Sequence, residues 1–168
     1  PGDTVCRPIY EAAIELDVPV LLHTGPVAYP LKSKFAQPVY VDEVAADFPD
    51  LTIIMAHSGF NWWPEAVEIA SRKGNILLEL SGWQERAFHR ADFIRTLAYM
   101  RDRLGADRLL FASDRVGTRG TISQTEWVAL FKNLDDTAAE FGCSFSAEEV
   151  ALIIGGNAQR LLKLKNDE

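Results

Sequence analysis

Three side chains able to bind a cation or move a proton close three apolar runs. Val20-Leu21-Leu22 ends in His23, Thr52-Ile53-Ile54-Met55-Ala56 ends in His57, and Leu109-Leu110-Phe111-Ala112-Ser113 ends in Asp114. Imidazole titrates near neutral pH, which suits histidine to general acid/base work. Taken singly, each residue also has a plainer reading. His23 reads as a strand-end histidine satisfied by backbone, His57 as a packed core histidine, and Asp114 as the cap of the turn after its strand.

Helical sequence separates the three runs. Pro8 stands in the first turn of a helix with Ile9, Ala12, Ala13 and Leu16 on an apolar face, and the strand Val20 to His23 follows, apolar enough to predict cover on both faces. From Gly25 to Gln37 runs a long connection without periodicity, of the kind that forms lids and binding loops. Pro38 opens a second helix with Val41, Val44, Ala45 and Phe48 inward, stopped by Pro49. Asn61 is placed to cap a third helix, with Pro64 in its first turn and Gly74 beyond its end. Ile76 to Leu80 reads as a strand, Phe88 to Leu104 as a longer helix stopped by Gly105, and the next strand runs into Asp114. Ser123 with Glu126, and Ser146 with Glu149, have capping-box spacing, and Asn157 is the expected cap of a last short helix.

Strands alternating with helices form parallel sheets through right-handed crossovers. In such folds ligands bind at the carboxyl ends of the strands, so His23, His57, Ser81 and Asp114 are expected to emerge on one face.

The composition narrows the class. With 168 residues, 48% of them hydrophobic, the chain can bury a core of one domain spanning 1–168. A net charge of -7 without a lysine-rich run argues against a nucleic-acid groove and for small molecules or other proteins as partners. No run is long enough for a membrane span and no export signal is evident. Cys6 and Cys143 lack a CxxC spacing and read as reduced thiols of a cytoplasmic protein. Pro1-Gly2-Asp3-Thr4, with no initiator Met, leads almost at once into helical sequence, as in a chain cut from something longer.

Four segments resemble the amidohydrolase-related proteins, the branch of the amidohydrolase superfamily that includes aminocarboxymuconate-semialdehyde and resorcylate decarboxylases. They are Pro19 to Gly25 (PVLLHTG), Phe48 to Gly59 (FPDLTIIMAHSG), Leu104 to Asp114 (LGADRLLFASD) and Gly156 to Leu162 (GNAQRLL). The resemblance implies an α/β fold, the C-terminal half of a (β/α)8 TIM barrel with four parallel strands and their helices. It implies a divalent metal, zinc with manganese as the alternative, held by His23 and Asp114. His57 then acts as the acid/base or polarising residue, Asp114 as proton acceptor, and the closing Asn-Ala-x-Arg-Leu pattern as a structural element.

One departure matters. The His-x-His pair of the family's first strand is absent, and the remaining histidine, His89, stands alone on a predicted helix. A whole barrel takes about 250 residues, and a catalytic zinc normally has three protein ligands plus water. Trp62, Trp63 and Trp83 follow strand ends and are candidates to line a substrate pocket, while Arg115 and Arg119 are candidates for a substrate carboxylate.

The first reading is hydrolysis of a small ester, lactone or amide, because the loop after His57 (Ser58-Gly59-Phe60-Asn61-Trp62-Trp63) lacks the arginine expected of a decarboxylase. The alternatives are a non-oxidative decarboxylase, or a half-barrel incomplete by itself. In a half-barrel the open edge of the first strand invites homo-oligomers. An open flavodoxin-like sheet is disfavoured by the lack of a glycine-rich phosphate loop.

Overall fold

The structure, a computed structural model, describes residues 1–114 and 122–164. Strands and helices alternate: α1 (Arg7–Glu15), β1 (Val20–His23), α2 (Val39–Asp47), β2 (Ile53–Ala56), α3 (Trp63–Arg72), β3 (Ile76–Glu79), α4 (Arg90–Leu104) and β4 (Leu109–Leu110). Four further helices close the described chain: α5 (Gln124–Lys132), α6 (Leu134–Ala139), α7 (Ala147–Ala151) and α8 (Asn157–Leu161). Four parallel strands alternating with helices are the architecture of half a (β/α)8 barrel. The residues group into two compact units, Pro1–Glu79 with the chain's end from Gln159, and Leu80–Ala158.

In the first unit β1, β2 and β3 pair in parallel, with His23 opposite Ala56 and Met55 opposite Leu78. Every residue of β2 and β3 is buried, as two-sided cover by helices requires. β1 departs from the expected two-sided cover. Its burial alternates and Leu21 is 59% exposed, because within this unit β1 pairs with β2 along one edge alone. Helix α2 buries Val41, Val44, Ala45 and Phe48 as its spacing predicts.

Helix α1 is turned from its expected face. Tyr10 and Ala13 are buried, whereas Ile9 and Leu16 are exposed. Ala13 belongs to both stripes, and the one carrying the larger aromatic ring wins, since Tyr10 packs edge-on against Phe48 at 5.3 Å. Helix α3 starts one residue later than Asn61 would set it. An irregular turn over His57–Trp62 carries the chain on, so Trp62 takes the cap position, and Pro64 stands in the first turn as expected.

In the second unit Leu80 donates its N–H to Leu110 O in β4. β4 is far shorter than the apolar run into Asp114 predicts. Phe111 turns its N–H to Ile153 O instead of to a strand, and the carbonyls of Ala112 and Ser113 accept from the side chains of Trp127 and Gln84. The core here is an aromatic cluster of Phe93, Phe111, Trp127 and Phe131. Both capping boxes form, at Ser123 with Glu126 and at Ser146 with Glu149. Asn157 is not a cap. A π-helical stretch, Leu152–Gly156, runs straight into α8, and the Asn157 amide instead donates to Ala106 O and Leu109 O, both at 2.8 Å.

Candidate metal centre

The register of β1 and β2 brings two histidines together in the first unit. His23 stands opposite Ala56, so His57, the next residue, leaves β2 at the level of His23. His57 Nε2 lies 3.1 Å from His23 Nδ1, with ring centroids 4.8 Å apart and planes at 69°. His23 Nε2 lies 3.2 Å from Gly25 O. A carbonyl only accepts, so Nε2 of His23 carries its proton and Nδ1 bears the lone pair. The bond between the rings therefore runs from His57 Nε2–H to His23 Nδ1.

The backbone that delivers His57 is unusual. His57, Ser58, Gly59 and Phe60 have φ of 62°, 47°, 77° and 50°, a left-handed run in which three of four residues carry a Cβ. Each such non-glycine residue costs about 1–2 kcal/mol. The run is anchored at three points. His57 N–H donates to Glu79 Oε2 at 3.0 Å and Ser58 Oγ donates to Glu79 O at 2.8 Å. Gly59 N–H donates to Thr24 Oγ1 at 2.9 Å, and that hydroxyl donates in turn to Ala56 O at 2.6 Å. Gly59 has no substitute, since a Cβ there would stand 3.0 Å from the Cβ of Ala66 and 3.2 Å from Pro38 Cγ.

Two imidazole nitrogens on one tetrahedral zinc, each at 2.0–2.1 Å, stand about 3.3 Å apart. The His23–His57 spacing suits such sharing once His57 moves its proton to Nδ1. The fit stops there. Among the described residues no group of three or more His, Cys, Asp or Glu side chains is placed to hold a metal ion. The three histidines of the sequence, 23, 57 and 89, include no His-x-His pair.

Asp114 belongs to the second unit, exposed and with φ of 41°, four residues beyond β4. The bonds that Trp127 and Gln84 make to the two preceding carbonyls fix its base. Trp62 and Trp63 are half-buried in the first unit. Trp83 is fully buried in the second, edge-on to Phe93 and under the Arg86 guanidinium. Ser81 is also buried, and His89 precedes α4 as its cap residue, beside Phe88. Arg115 and Arg119 lie outside the described residues.

A family model described as Amidohydrolase matches residues 1–164. The chain belongs to the amidohydrolase family. Among solved structures, this amidohydrolase chain is similar to an uncharacterised TIM-barrel protein from Bordetella bronchiseptica, at 27% identity and a TM-score of 0.69, over 96% of this chain and 51% of that one. An amidohydrolase from Burkholderia multivorans with bound zinc superposes at a TM-score of 0.66 and 19% identity, over 97% and 58% of the two chains. A putative 2-pyrone-4,6-dicarboxylic acid hydrolase from Pseudomonas putida gives 0.66 and 19%, over 99% and 59%. The amidohydrolase chain thus spans about half the length of these relatives. No match is found among curated proteins.

Residues that sequence reasoning missed are Thr24, Ser58 and Glu79, which hold the histidine pair without belonging to it. The signal for Glu79 was legible. A carboxylate inside the apolar run Ile76 to Leu80 must find partners, since burying it without them is costly.

Proposed function

We propose that this amidohydrolase chain supplies the half of a metal-dependent hydrolase centre built on its family's strands five to eight, and that by itself it holds that centre incompletely and does not turn substrate over. The observation that carries the reading is the His23–His57 pair, two ring nitrogens 3.1 Å apart at neighbouring strand ends, with no third His, Cys, Asp or Glu grouped with them among the described residues. The bound zinc of the Burkholderia relative and the half-length coverage of all three relatives support it.

In this reading His23 and Asp114 are ligands, zinc or manganese is the metal, and His57 moves a proton or polarises the scissile carbonyl. Zinc, when bound there, would supply a water of lowered pKa. Trp62 is a candidate aromatic wall for a small ester, lactone or amide, and Trp83 and Arg115 are further candidates for contact with the substrate. The setting is cytoplasmic, and the edge of β1 offers a route to homo-oligomers.

Zinc titration and hydrolysis assays on the purified chain test this, beside the same chain co-expressed with the strand-one-to-four half of the Bordetella relative. The chain alone is expected to bind zinc weakly, to lose that binding in His23→Ala, and to leave aryl esters and lactones intact. Tight stoichiometric zinc with turnover by the chain alone would overturn the reading. Loss of carbon dioxide from an aromatic acid by the paired halves would move the reaction to decarboxylation.

A further inference from the structure

We propose that Glu79 is the positioning residue of this site, the group that holds His57 in the conformation from which its ring meets His23. The inference rests on the reading above only in taking His23 and His57 as the working pair.

Glu79 ends β3 in a strand otherwise made of Ile76, Leu77 and Leu78 and followed by Leu80, all at most 5% exposed. Glu79 is itself 5% exposed. An apolar side chain would suit that environment better, because a carboxylate there loses hydration that only good partners offset. One such partner is the N–H of His57, at 3.0 Å from Oε2. The same residue's carbonyl accepts from Ser58 Oγ at 2.8 Å. Glu79 therefore grips two successive residues of the left-handed run, one through its side chain and one through its backbone.

Register explains how it reaches them. Met55 pairs with Leu78, and one step further along both strands places Glu79 beside Ala56, which pairs with His23. Side chains alternate along a strand, so His23, Ala56 and Glu79 share one face. The small methyl of Ala56 leaves room between its neighbours. A left-handed histidine is unfavourable by itself, and a charged acceptor on its N–H is a strong bond of the kind that can offset that cost. Glu79 thus acts through His57 rather than on a substrate.

The test uses the full chain without metal, so that its result is separate from whether the pair binds zinc. Long-range 1H–15N spectra of the imidazoles read the ring tautomers in wild type, Glu79→Gln, which keeps an acceptor, and Glu79→Met, which removes it at similar length. Wild type and Glu79→Gln are expected to share one pattern, with His23 protonated at Nε2 and bare at Nδ1. Glu79→Met is expected to lose that pattern while its far-UV circular dichroism stays native. A folded Glu79→Met with the wild-type ring pattern would overturn the proposal. Should Glu79→Met fail to fold, Ser58→Ala releases the bond to the Glu79 carbonyl, the backbone half of the same grip, and an unaltered ring pattern there would overturn it equally.

Discussion

His57 Nε2 donates to His23 Nδ1 across 3.1 Å, and the donor's own backbone sits at a φ of 62°. The side chain that does the chemistry is also one of the residues that strains the fold. Substituting glycine at 57 removes the ring and relieves the left-handed penalty, about 1–2 kcal/mol, against about 0.5–1 kcal/mol of added chain entropy. The His57→Gly variant is expected to be as stable as wild type or up to about 1 kcal/mol more stable. Urea unfolding checks this, and a loss of stability would show that the ring contributes to holding the fold.

Thr24 joins the two strand ends beneath the pair. Its hydroxyl is the acceptor for Gly59 N–H, and the residue is fully buried. Thr24→Val keeps the shape and deletes the acceptor, leaving a buried N–H unpaired at a cost of about 1–3 kcal/mol. Thr24→Ser is expected to retain most of the stability. The difference between the two unfolding midpoints is the measurement.

In the second unit Asn157 carries the structural weight that its family pattern implies. Its amide donates to two carbonyls and it is fully buried. Asn157→Asp would set carboxylate oxygens against those carbonyls, and destabilisation of about 3 kcal/mol or more is expected at neutral pH. Thermal unfolding of the variant reads it directly.

Acid should loosen α5 at its first turn. The Ser123 side-chain and backbone hydrogen bonds hold the Glu126 carboxyl below its ordinary value of 4.5. A carboxyl lowered in the folded state contributes stability above its unfolded pKa, and that contribution is lost as pH falls through the folded one. Melting temperatures of wild type and Glu126→Gln are therefore expected to differ at neutral pH and to converge in acid. Parallel curves over the whole range would contradict the cap's role.

Local rules made much of this chain legible from its residues. Apolar runs spaced by helical periodicity gave the parallel α/β order, Ser-x-x-Glu spacing gave both capping boxes, and the step from Ala56 to His57 gave a strand end with a reactive ring, because each depends on neighbours along the chain. Tertiary contacts decided what neighbours could not. Tyr10 outcompeted Ile9 for the buried face of α1 because Phe48 was there to receive it. β4 stopped at Leu110 because Ile153, Trp127 and Gln84 claimed the next backbone groups. His57 met His23 because Glu79 and Thr24, 22 and 33 residues away in sequence, supplied the bonds that make a left-handed backbone tolerable.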